Sequence, residues 1–421
     1  MNATQATLPV PAIGRQPGQA RRAMTGKVAA LLVFGCLSTG ASAFERPADG
    51  VYADRVDWGI MMDMSGPTAA SQVPWTNGFQ DYMRKVNEAG GIHGRKVNLL
   101  VEDDRYDAAR DRINYEKLAS QTPVIAISGV GNSSAQVALM STIKAGKVPI
   151  VGTYATAKAG VEPANPMFYG GFCGFKEMAQ VGVGFFTERL KLKAPRIAVV
   201  HLDVASGAEY FGYVQNAIAG TGGTAKSIPI KVTAADANAQ VREIDAMKPD
   251  FVTHHGTINT ALLLMRAMQQ YGLKIPTFAI TYLGTPGVYA ALNAETGSNY
   301  YFVSCFTPGT IEEPGTKEMA AAAAKNGRSA LKDDINYVAG WVIGQLAAEA
   351  LTRVGPEPTR EKLVNMLNKG FEVDTKGLSS PIKYTPDNHL GLSVLRPYGY
   401  DYQTKTYKAF GNYSDYQKYL K

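Results

Sequence analysis

The sequence lacks the short motifs that mark common nucleotide-dependent and hydrolytic enzymes. It has no G-x-x-x-x-G-K-S/T phosphate loop, no strand-linked G-x-G-x-x-G and, beyond residue 43, no G-x-S-x-G nucleophile turn. No H-x-x-x-H or C-x-x-C pair offers the spacing of metal ligands. We therefore predict a protein that is not an enzyme and that uses neither a metal nor a cofactor.

Cysteine is scarce, so at most one disulfide fits the chain beyond its N-terminal segment. Of three cysteines, Cys36 lies in that segment, which leaves Cys173 and Cys305. An even pair in an oxidising compartment permits a single disulfide. The spacing alone is equally compatible with two buried free thiols.

Long hydrophobic runs and runs of one charge are also missing. After residue 44 no stretch approaches the ~18 unbroken apolar residues of a membrane span. The formal charge is +7, but residues 1–43 hold four basic residues and no acid, and without them it falls to +3. Because the remaining Lys and Arg are scattered, we predict no nucleic-acid partner.

The N-terminal 43 residues have the layout of a signal peptide. Arg21, Arg22 and Lys27 precede the apolar stretch 28–36, and the small residues at 41–43 form a cleavage site. We predict cleavage near Ala43 and export to the periplasm.

Three details of this segment stay open. Translation could start at Met1 or at Met24, because a tail with Thr, Gln, Pro and Arg precedes the apolar stretch. The Arg21-Arg22 pair is compatible with the general secretory route or the twin-arginine route. Gly35-Cys36 resembles a lipoprotein cleavage site only weakly, and we do not expect a lipid anchor.

From residue 55, apolar strands alternate with amphipathic helices. Residues 56–62, 96–102, 124–128 and 148–151 have the composition of buried strands. A helix follows the first strand with its apolar face at three- and four-residue spacing: Trp75, Phe79, Tyr82, Met83 and Val86. The helix 107–119 should bury Ile113, Leu118 and Ala119. Strands joined by helices indicate parallel sheets, because parallel neighbours need long crossovers.

After the glycine-rich stretch 169–174 the alternation starts again, which suggests two lobes of similar build. The predicted organisation is α/β, with a mobile segment at 44–54, a first lobe at 55–172 and a second lobe at 173–306. Residues 307–375 would complete the first lobe, with helices near 318–326, 335–354 and 359–368. Residues 376–421, rich in strands, would complete the second.

Two turns that follow predicted strands offer hydroxyls and backbone amides without net charge. They are the turn Gly131-Asn132-Ser133-Ser134 and the turn 153–156. Helix N-termini at the carboxyl ends of parallel strands favour carboxylates and other acceptor-rich groups. Ordinary helix capping by Asn and Ser explains the same residues equally simply.

A third turn begins with His254-His255. Adjacent residues of a strand point to opposite faces, so the two imidazoles cannot share a metal, and one of them in the cleft is a candidate hydrogen-bond partner. The acidic cluster 102–104 is another candidate site. We interpret it as a solvated strand end or as a salt link to Arg105 or Arg110.

Four stretches together resemble the branched-chain amino-acid type of periplasmic binding protein, the substrate receptors of ABC importers. They are Met64-Ser65-Gly66-Pro67, the N-x-x-G-G-I-x-G element within 86–94, the turn at 131–134 and the segment 147–156. Weaker similarity covers nearly all of residues 55–410. The resemblance implies two Rossmann-like lobes with parallel sheets, joined by three hinge strands that include Cys173 and Cys305.

The resemblance further implies that a small solute binds between the lobes and that a monomer then docks on an ABC permease and ATPase complex at the inner membrane. The candidate ligand-binding residues on the first lobe are Ser71, Gln72, Gly131, Asn132, Ser133, Tyr154, Ala155 and Thr156. The candidates on the second lobe are Asp203, Ser206, His255, Thr257 and Tyr282.

The sequence departs from the family where amino-acid binders hold the ligand's ammonium. Tyr282 stands where the family has an acidic residue, the aromatic that the family often stacks on the ligand is replaced near Ser206, and Asp203 is the only acid nearby. A buried ammonium without a carboxylate partner is costly. Trp75, Tyr154, Tyr210 and Tyr282 would line the cleft with aromatic rings.

We therefore expect an uncharged or carboxylated organic solute, aromatic or aliphatic, in place of a simple α-amino acid. The alternatives are an amino-acid receptor of the same class and a ligand-sensing receptor for a signalling partner. A secreted enzyme on the same scaffold is a third.

Overall fold

The computed structural model describes residues 44–420. The predicted signal peptide lies outside the described residues, so the export signal and its cleavage stay predictions. Within 44–420, no helix is long and apolar enough to cross a membrane.

The described chain alternates strands and helices. The strands are β1 Arg55–Met62, β2 Lys96–Asp103, β3 Ile127–Gly129, β4 Ile150–Thr153, β5 Phe168–Gly170, β6 Arg196–Leu202, β7 Thr224–Ile230, β8 Phe251–His255, β9 Thr277–Ala279, β10 Tyr300–Ser304, β11 Phe371–Val373, β12 Ile382–Thr385, β13 Asn388–Gly391, β14 Arg396–Asp401 and β15 Thr406–Ala409. The α-helices are α1 Ala69–Glu88, α2 Ala108–Glu116, α3 Ser133–Lys144, α4 Lys158–Val161, α5 Phe175–Arg189, α6 Ala205–Ala217, α7 Asn238–Met247, α8 Ile258–Gln270, α9 Pro286–Ala290, α10 Ala294–Gly297, α11 Pro314–Lys325, α12 Ile335–Val354 and α13 Arg360–Asn368.

Two large sheets repeat one strand order. The first is five-stranded, with order β2-β1-β3-β4-β5 and parallel pairing throughout. The second is seven-stranded; its parallel part runs β10-β9-β8-β6-β7, and β14 and β15 extend it antiparallel beyond β10. Numbered within each sheet, both parallel parts have the doubly wound order 2-1-3-4-5, so the predicted α/β class with parallel sheets is confirmed.

A glycine pair lets two long helices pack closely beside the first sheet. A Cβ on Gly340 in α12 would lie 1.8 Å from the Trp75 carbonyl oxygen, and a Cβ on Gly78 in α1 would lie 2.0 Å from the Tyr337 carbonyl oxygen. Almost every residue of α12 is buried, including Trp341. The helix predicted from 335 to 354 therefore packs against α1.

The chain passes three times between the sheets: between β5 and α5, between β10 and α11, and between β13 and β14. Helix α5 packs on α6 and β10, whereas α11 packs on α1. Strands β11, β12 and β13 form a separate three-stranded antiparallel sheet beside β5. The residue boundaries predicted for the lobes stay a prediction.

The segment predicted to be mobile, residues 44–54, contacts the rest of the protein near both of its ends. A 3-10 helix spans Pro47–Asp49, and Val51 is fully buried and forms bridges to Arg46 and Val56. The buried Arg95 side chain donates to the carbonyl oxygens of Phe44 and Tyr52 at 2.8 and 2.7 Å. The mobility itself stays a prediction.

One predicted core residue is on the surface. Ile113 is 66% exposed, whereas Leu118 is fully buried. Five residues along an α-helix correspond to a rotation of about 140°, so these two side chains cannot share one face. The backbone also widens to a π-helix over Lys117–Gln121, which changes the phase again.

The acidic residues at the end of β2 are only partly solvated. Asp103 pairs with Arg105 at 3.5 Å, as the salt-link interpretation expects, whereas Glu102 pairs with Lys117 at 2.7 Å, a partner that was not predicted. Asp104 is fully buried, which corrects that interpretation for this residue. Burial, together with the nearby Asp63 and Asp103, raises the pKa of Asp104 although the Tyr106 N–H donates to it.

Candidate functional site

A cavity of about 50 Å³ lies between the carboxyl ends of the two parallel sheets. One side, the first wall, consists of Thr68, Ser71, Gln72, Tyr106, Gly131, Ser133, Tyr154 and Ala155. The other side, the second wall, consists of Phe175, Leu202, Ser206, His255, Gly256, Thr257, Ile280, Tyr282 and Leu283. The volume suits little more than a water molecule or two, so an organic solute requires the two walls to separate.

The strand order explains why these residues meet. In a 2-1-3-4-5 sheet the crossovers reverse direction between the first and third strands, and ligands bind in the crevice at that point. The first wall follows the ends of β1, β3 and β4, and most of the second wall follows the ends of β6, β8 and β9. The two crevices therefore face each other across one cavity.

Four helices begin at the cavity. Thr68 precedes α1, Ser133 is the first residue of α3, Ser206 lies in the first turn of α6, and Thr257 is the N-cap of α8. Helix N-termini carry partial positive charge and free N–H groups. No lining residue is Asp, Glu, Lys or Arg. The site therefore favours an anionic or acceptor-rich group of a ligand, although no charged side chain of the protein lines it.

Several polar side chains of the first wall are held by hydrogen bonds inside the protein. The Gln72 amide accepts from the Asp63 N–H at 2.7 Å and donates to Thr68 Oγ1 at 2.8 Å. Ser71 Oγ donates to the Thr68 carbonyl at 3.0 Å. Tyr154 donates its hydroxyl to Asn336 Oδ1 at 2.9 Å. Burial raises the pKa of Tyr154 well above its usual value, so the phenol stays neutral.

The second wall contains buried polar atoms without partners. Tyr282 Oη and His255 Nδ1 have no hydrogen-bond partner among residues 44–420. Burial lowers the pKa of His255 to about 3, with further lowering by His254 and His201, so the ring is neutral near pH 7. Burial also raises the pKa of Tyr282, which keeps that hydroxyl protonated.

Aromatic rings enclose both of these side chains. The Tyr282 ring lies 4.8 Å from the Tyr154 ring and 4.9 Å from the Phe172 ring, centroid to centroid. The His255 ring lies 4.9 Å from Phe175 and 5.4 Å from Tyr210. The expected aromatic lining is present at Tyr154 and Tyr282, whereas Trp75 and Tyr210 pack behind it.

Most of the residues chosen from the sequence lie around this one cavity. They are Ser71, Gln72, Gly131, Ser133, Tyr154, Ala155, Ser206, His255, Thr257 and Tyr282. Their contact with a ligand stays a prediction. His254 points away from the cavity, and its Nε2 lies 3.3 Å from Thr260 Oγ1, as strand alternation requires.

Three chosen residues lie outside the lining. Asn132 caps α3, with its Oδ1 accepting from the N–H groups of Ser134 and Ala135, so the capping explanation describes its side chain. Asp203 is exposed, because the preceding Leu202 faces the cavity.

Thr156 is the third chosen residue outside the lining. It bonds to Thr153 Oγ1 at 3.0 Å and lines a neighbouring cavity of about 300 Å³. Six carboxylate or lysine side chains line that second cavity: Lys158, Glu162, Lys176, Glu177, Glu209 and Asp387.

Seven lining residues were not predicted: Thr68, Tyr106, Phe175, Leu202, Gly256, Ile280 and Leu283. Thr68 follows the Ser-Gly-Pro strand end, which was a usable signal. Tyr106 reaches the wall through a loop in which Arg105 and Tyr106 both adopt positive φ, 52° and 60°. Nothing in their residue types predicts that conformation.

The two cysteines form a disulfide behind the aromatic rings. Cys173 and Cys305 have a Cα–Cα separation of 6.1 Å and are almost fully buried. Cys173 lies in the first passage between the sheets and Cys305 in the second, so the bond ties two passages together. Within residues 44–420, no set of His, Cys, Asp and Glu side chains is arranged to hold a metal ion.

A sequence profile described as periplasmic binding protein matches residues 56–398. The chain therefore belongs to the periplasmic binding protein family, the solute-binding class of ABC transporters. No curated protein matches the chain significantly.

Solved structures share the fold at low sequence identity. A fatty acid ABC transporter substrate-binding protein from Thermomonospora curvata superposes with a TM-score of 0.78 at 21% identity, covering 88% of this chain and 96% of that one. A branched chain amino acid ABC transporter from Thermus thermophilus with bound valine gives 0.77 at 18% identity, covering 85% and 96%. A leucine-binding protein from Thermotoga maritima gives 0.69 at 18%, covering 85% and 98%.

Proposed function

We propose that this protein is the periplasmic receptor of an ABC importer and captures a small organic carboxylate or aromatic solute, not a simple α-amino acid. The observation that carries the proposal is a cavity that meets four helix N-termini and is lined by no charged side chain. The helix ends attract a carboxylate, and no acidic residue of the lining offers an ion pair to an ammonium.

The rest of the proposal concerns the protein's place in transport. The chain is exported, loses residues 1–43 and acts as a monomer in the periplasm. Closure of the two lobes around the solute presents a surface to the permease and ATPase complex at the inner membrane. Binding without chemical change separates this role from that of an enzyme, and an assay that detects turnover of the bound solute would contradict it.

Thermal unfolding with a solute panel tests the ligand class. The panel contains branched-chain amino acids, aromatic acids, short organic acids and fatty acids, each added to protein freed of bound solute by reversible unfolding. A ligand at 100 times its Kd stabilises the folded state by about 2.7 kcal/mol. We expect an organic acid to raise Tm, and stabilisation by leucine or valine with none by any organic acid contradicts the proposal.

Two neighbouring serines give a matched control. Ser133→Ala removes a hydroxyl from the first wall, whereas Ser134→Ala removes one from the same helix turn outside the lining. We expect Ser133→Ala to lower the ligand-induced rise in Tm and Ser134→Ala to leave it unchanged. Equal effects of both variants would show that the panel compound binds elsewhere.

A further inference from the structure

The second wall has a hydrogen-bonding capacity that the protein itself does not satisfy. Tyr282 Oη and His255 Nδ1 both belong to cavity-lining side chains, both are buried, and neither has a partner among residues 44–420. Buried polar groups in folded proteins are nearly always paired, so each unpaired group needs an explanation. A bound solute that supplies the missing partner is such an explanation.

Neither side chain can turn away to find a partner in the protein. Tyr282 is held between the rings of Tyr154 and Phe172, and His255 between those of Phe175 and Tyr210. The Tyr282 backbone is fixed as well, because Asn336 Nδ2 donates to its carbonyl oxygen at 3.0 Å. The two side chains are therefore held in place in the cavity wall, and both keep their unpaired atoms.

Both groups are uncharged near pH 7, which determines what they can bind. Burial keeps the His255 ring neutral, with one N–H donor and one acceptor nitrogen, and keeps the Tyr282 phenol protonated. The one acid predicted nearby, Asp203, is exposed and outside the lining. This wall offers an ammonium group no anionic partner, whereas a hydroxyl or carbonyl oxygen can accept the phenol's hydrogen bond.

We propose that His255 and Tyr282 select a carboxylate that also carries an uncharged oxygen, a hydroxyl or keto group, so that the ligand is a small hydroxy acid or oxo acid. The carboxylate part rests on the proposed function. The uncharged oxygen is the new element, and it rests on the two unpaired atoms of the second wall.

Isothermal titration calorimetry with two isosteric probe series tests this selection. The aliphatic series is isovalerate, 2-hydroxyisovalerate, 2-oxoisovalerate and valine, which differ only in the group beside the carboxylate. The aromatic series is 3-phenylpropanoate, 3-phenyllactate, phenylpyruvate and phenylalanine. In at least one series we expect the hydroxy or oxo acid to bind about tenfold tighter than the unsubstituted acid. The amino acid should bind more weakly than both.

A pair of Tyr→Phe variants assigns the selection to the second wall. Tyr282→Phe removes only the unpaired hydroxyl and should weaken binding of the hydroxy or oxo acid far more than binding of the unsubstituted acid, which erases most of the tenfold preference. Tyr210→Phe removes a hydroxyl that is already bonded to Thr253 and lies outside the lining, and it should preserve the preference.

The outcomes separate this inference from the proposed function. Equal binding of substituted and unsubstituted acids overturns the inference and leaves the receptor for organic acids intact. An equal loss for every probe in Tyr282→Phe also overturns it, because a structural defect does not discriminate between probes. Preference for valine or phenylalanine, or no binding by any acid, contradicts the inference and the proposed ligand class together.

Discussion

The two walls of the cavity use their polar groups differently. On the first wall, Gln72, Ser71 and Tyr154 are engaged in hydrogen bonds with the protein. On the second wall, Tyr282 Oη and His255 Nδ1 are buried and unpaired. Side chains that are already hydrogen-bonded within the protein keep one shape for any carboxylate. An unpaired group gains a hydrogen bond only from a solute that supplies the missing partner. We therefore expect the first wall to supply affinity and the second wall to supply selectivity.

The largest predicted effect concerns the disulfide behind both walls. The bond between Cys173 and Cys305 closes a loop of 132 residues. Because a cross-link of that span restricts the unfolded chain, Cys173→Ala with Cys305→Ala should lower the free energy of unfolding by about 5 kcal/mol. Urea unfolding of the double variant measures the loss.

Reduction of the wild-type protein is the control for this prediction, since it breaks the same bond without changing side-chain volume. It should reproduce most of the loss. If the double variant and the reduced wild type both unfold at the same urea concentration as the oxidised wild type, the disulfide does not stabilise the two passages.

The second prediction concerns two buried carboxyl groups behind the first wall. Burial, and then the charge of Asp104, raises the pKa of Asp111, while the pKa of Asp104 is raised by burial and by Asp63. The unfolded chain ionises both near pH 4. Their stabilising contribution is therefore complete below about pH 4 and is lost as the pH rises through the raised values of the folded protein.

Replacing one of these acids should remove the loss of stability at high pH. Asp111→Asn should make the protein about 2 kcal/mol more stable than wild type at pH 8 and change it little at pH 4. Urea unfolding at both values measures the difference. Asp104 accepts a hydrogen bond from the backbone N–H of Tyr106, a residue of the first wall. Asp111→Asn should therefore also stabilise that part of the first wall.

Asp103 provides a control of opposite sign. Its burial raises the pKa, but hydrogen bonds from Ser65 and from the Met64 N–H outweigh that effect, and the pKa is lowered. Asp103→Asn should therefore destabilise the protein at pH 8. If Asp103→Asn and Asp111→Asn change the free energy of unfolding at pH 8 identically, the opposite pKa shifts assigned to these two acids are wrong.

The smallest predicted effect tests the division of labour directly. A Cβ on Gly131 would lie 2.2 Å from Gln72 Oε1, so Gly131→Ala should displace the amide that shapes the first wall. We expect affinity for every carboxylate to fall about tenfold while the preference for a hydroxy or oxo acid persists. Calorimetry with isovalerate and 2-hydroxyisovalerate measures both quantities.

Gly212→Ala is the matched control for Gly131→Ala, because a Cβ there meets nothing within 4 Å. It should leave both affinities unchanged. If Gly131→Ala abolishes the preference and keeps the affinity, the roles of the two walls are reversed.

The fold could be predicted because buried strands and the turns after them carry strong local signals. The helix 335–354 was predicted with its observed bounds, and the turns at Gly131 and Thr257 were placed beside the cavity. Asp203 lies outside the lining because one residue at a strand end decides which face a side chain takes. Phe175 and Tyr106 reach the cavity through tertiary packing and an unusual backbone conformation, which residue type alone does not specify.

The most direct test of the account is the identity of the solute that the protein carries in its own compartment. Protein purified from the native periplasm without unfolding is denatured, and the released small molecules are identified by mass spectrometry. The proposed ligand class predicts that the released solute is a carboxylate without an α-ammonium group, present in an amount nearly stoichiometric with the protein. Recovery of leucine, isoleucine or valine in that amount would contradict it.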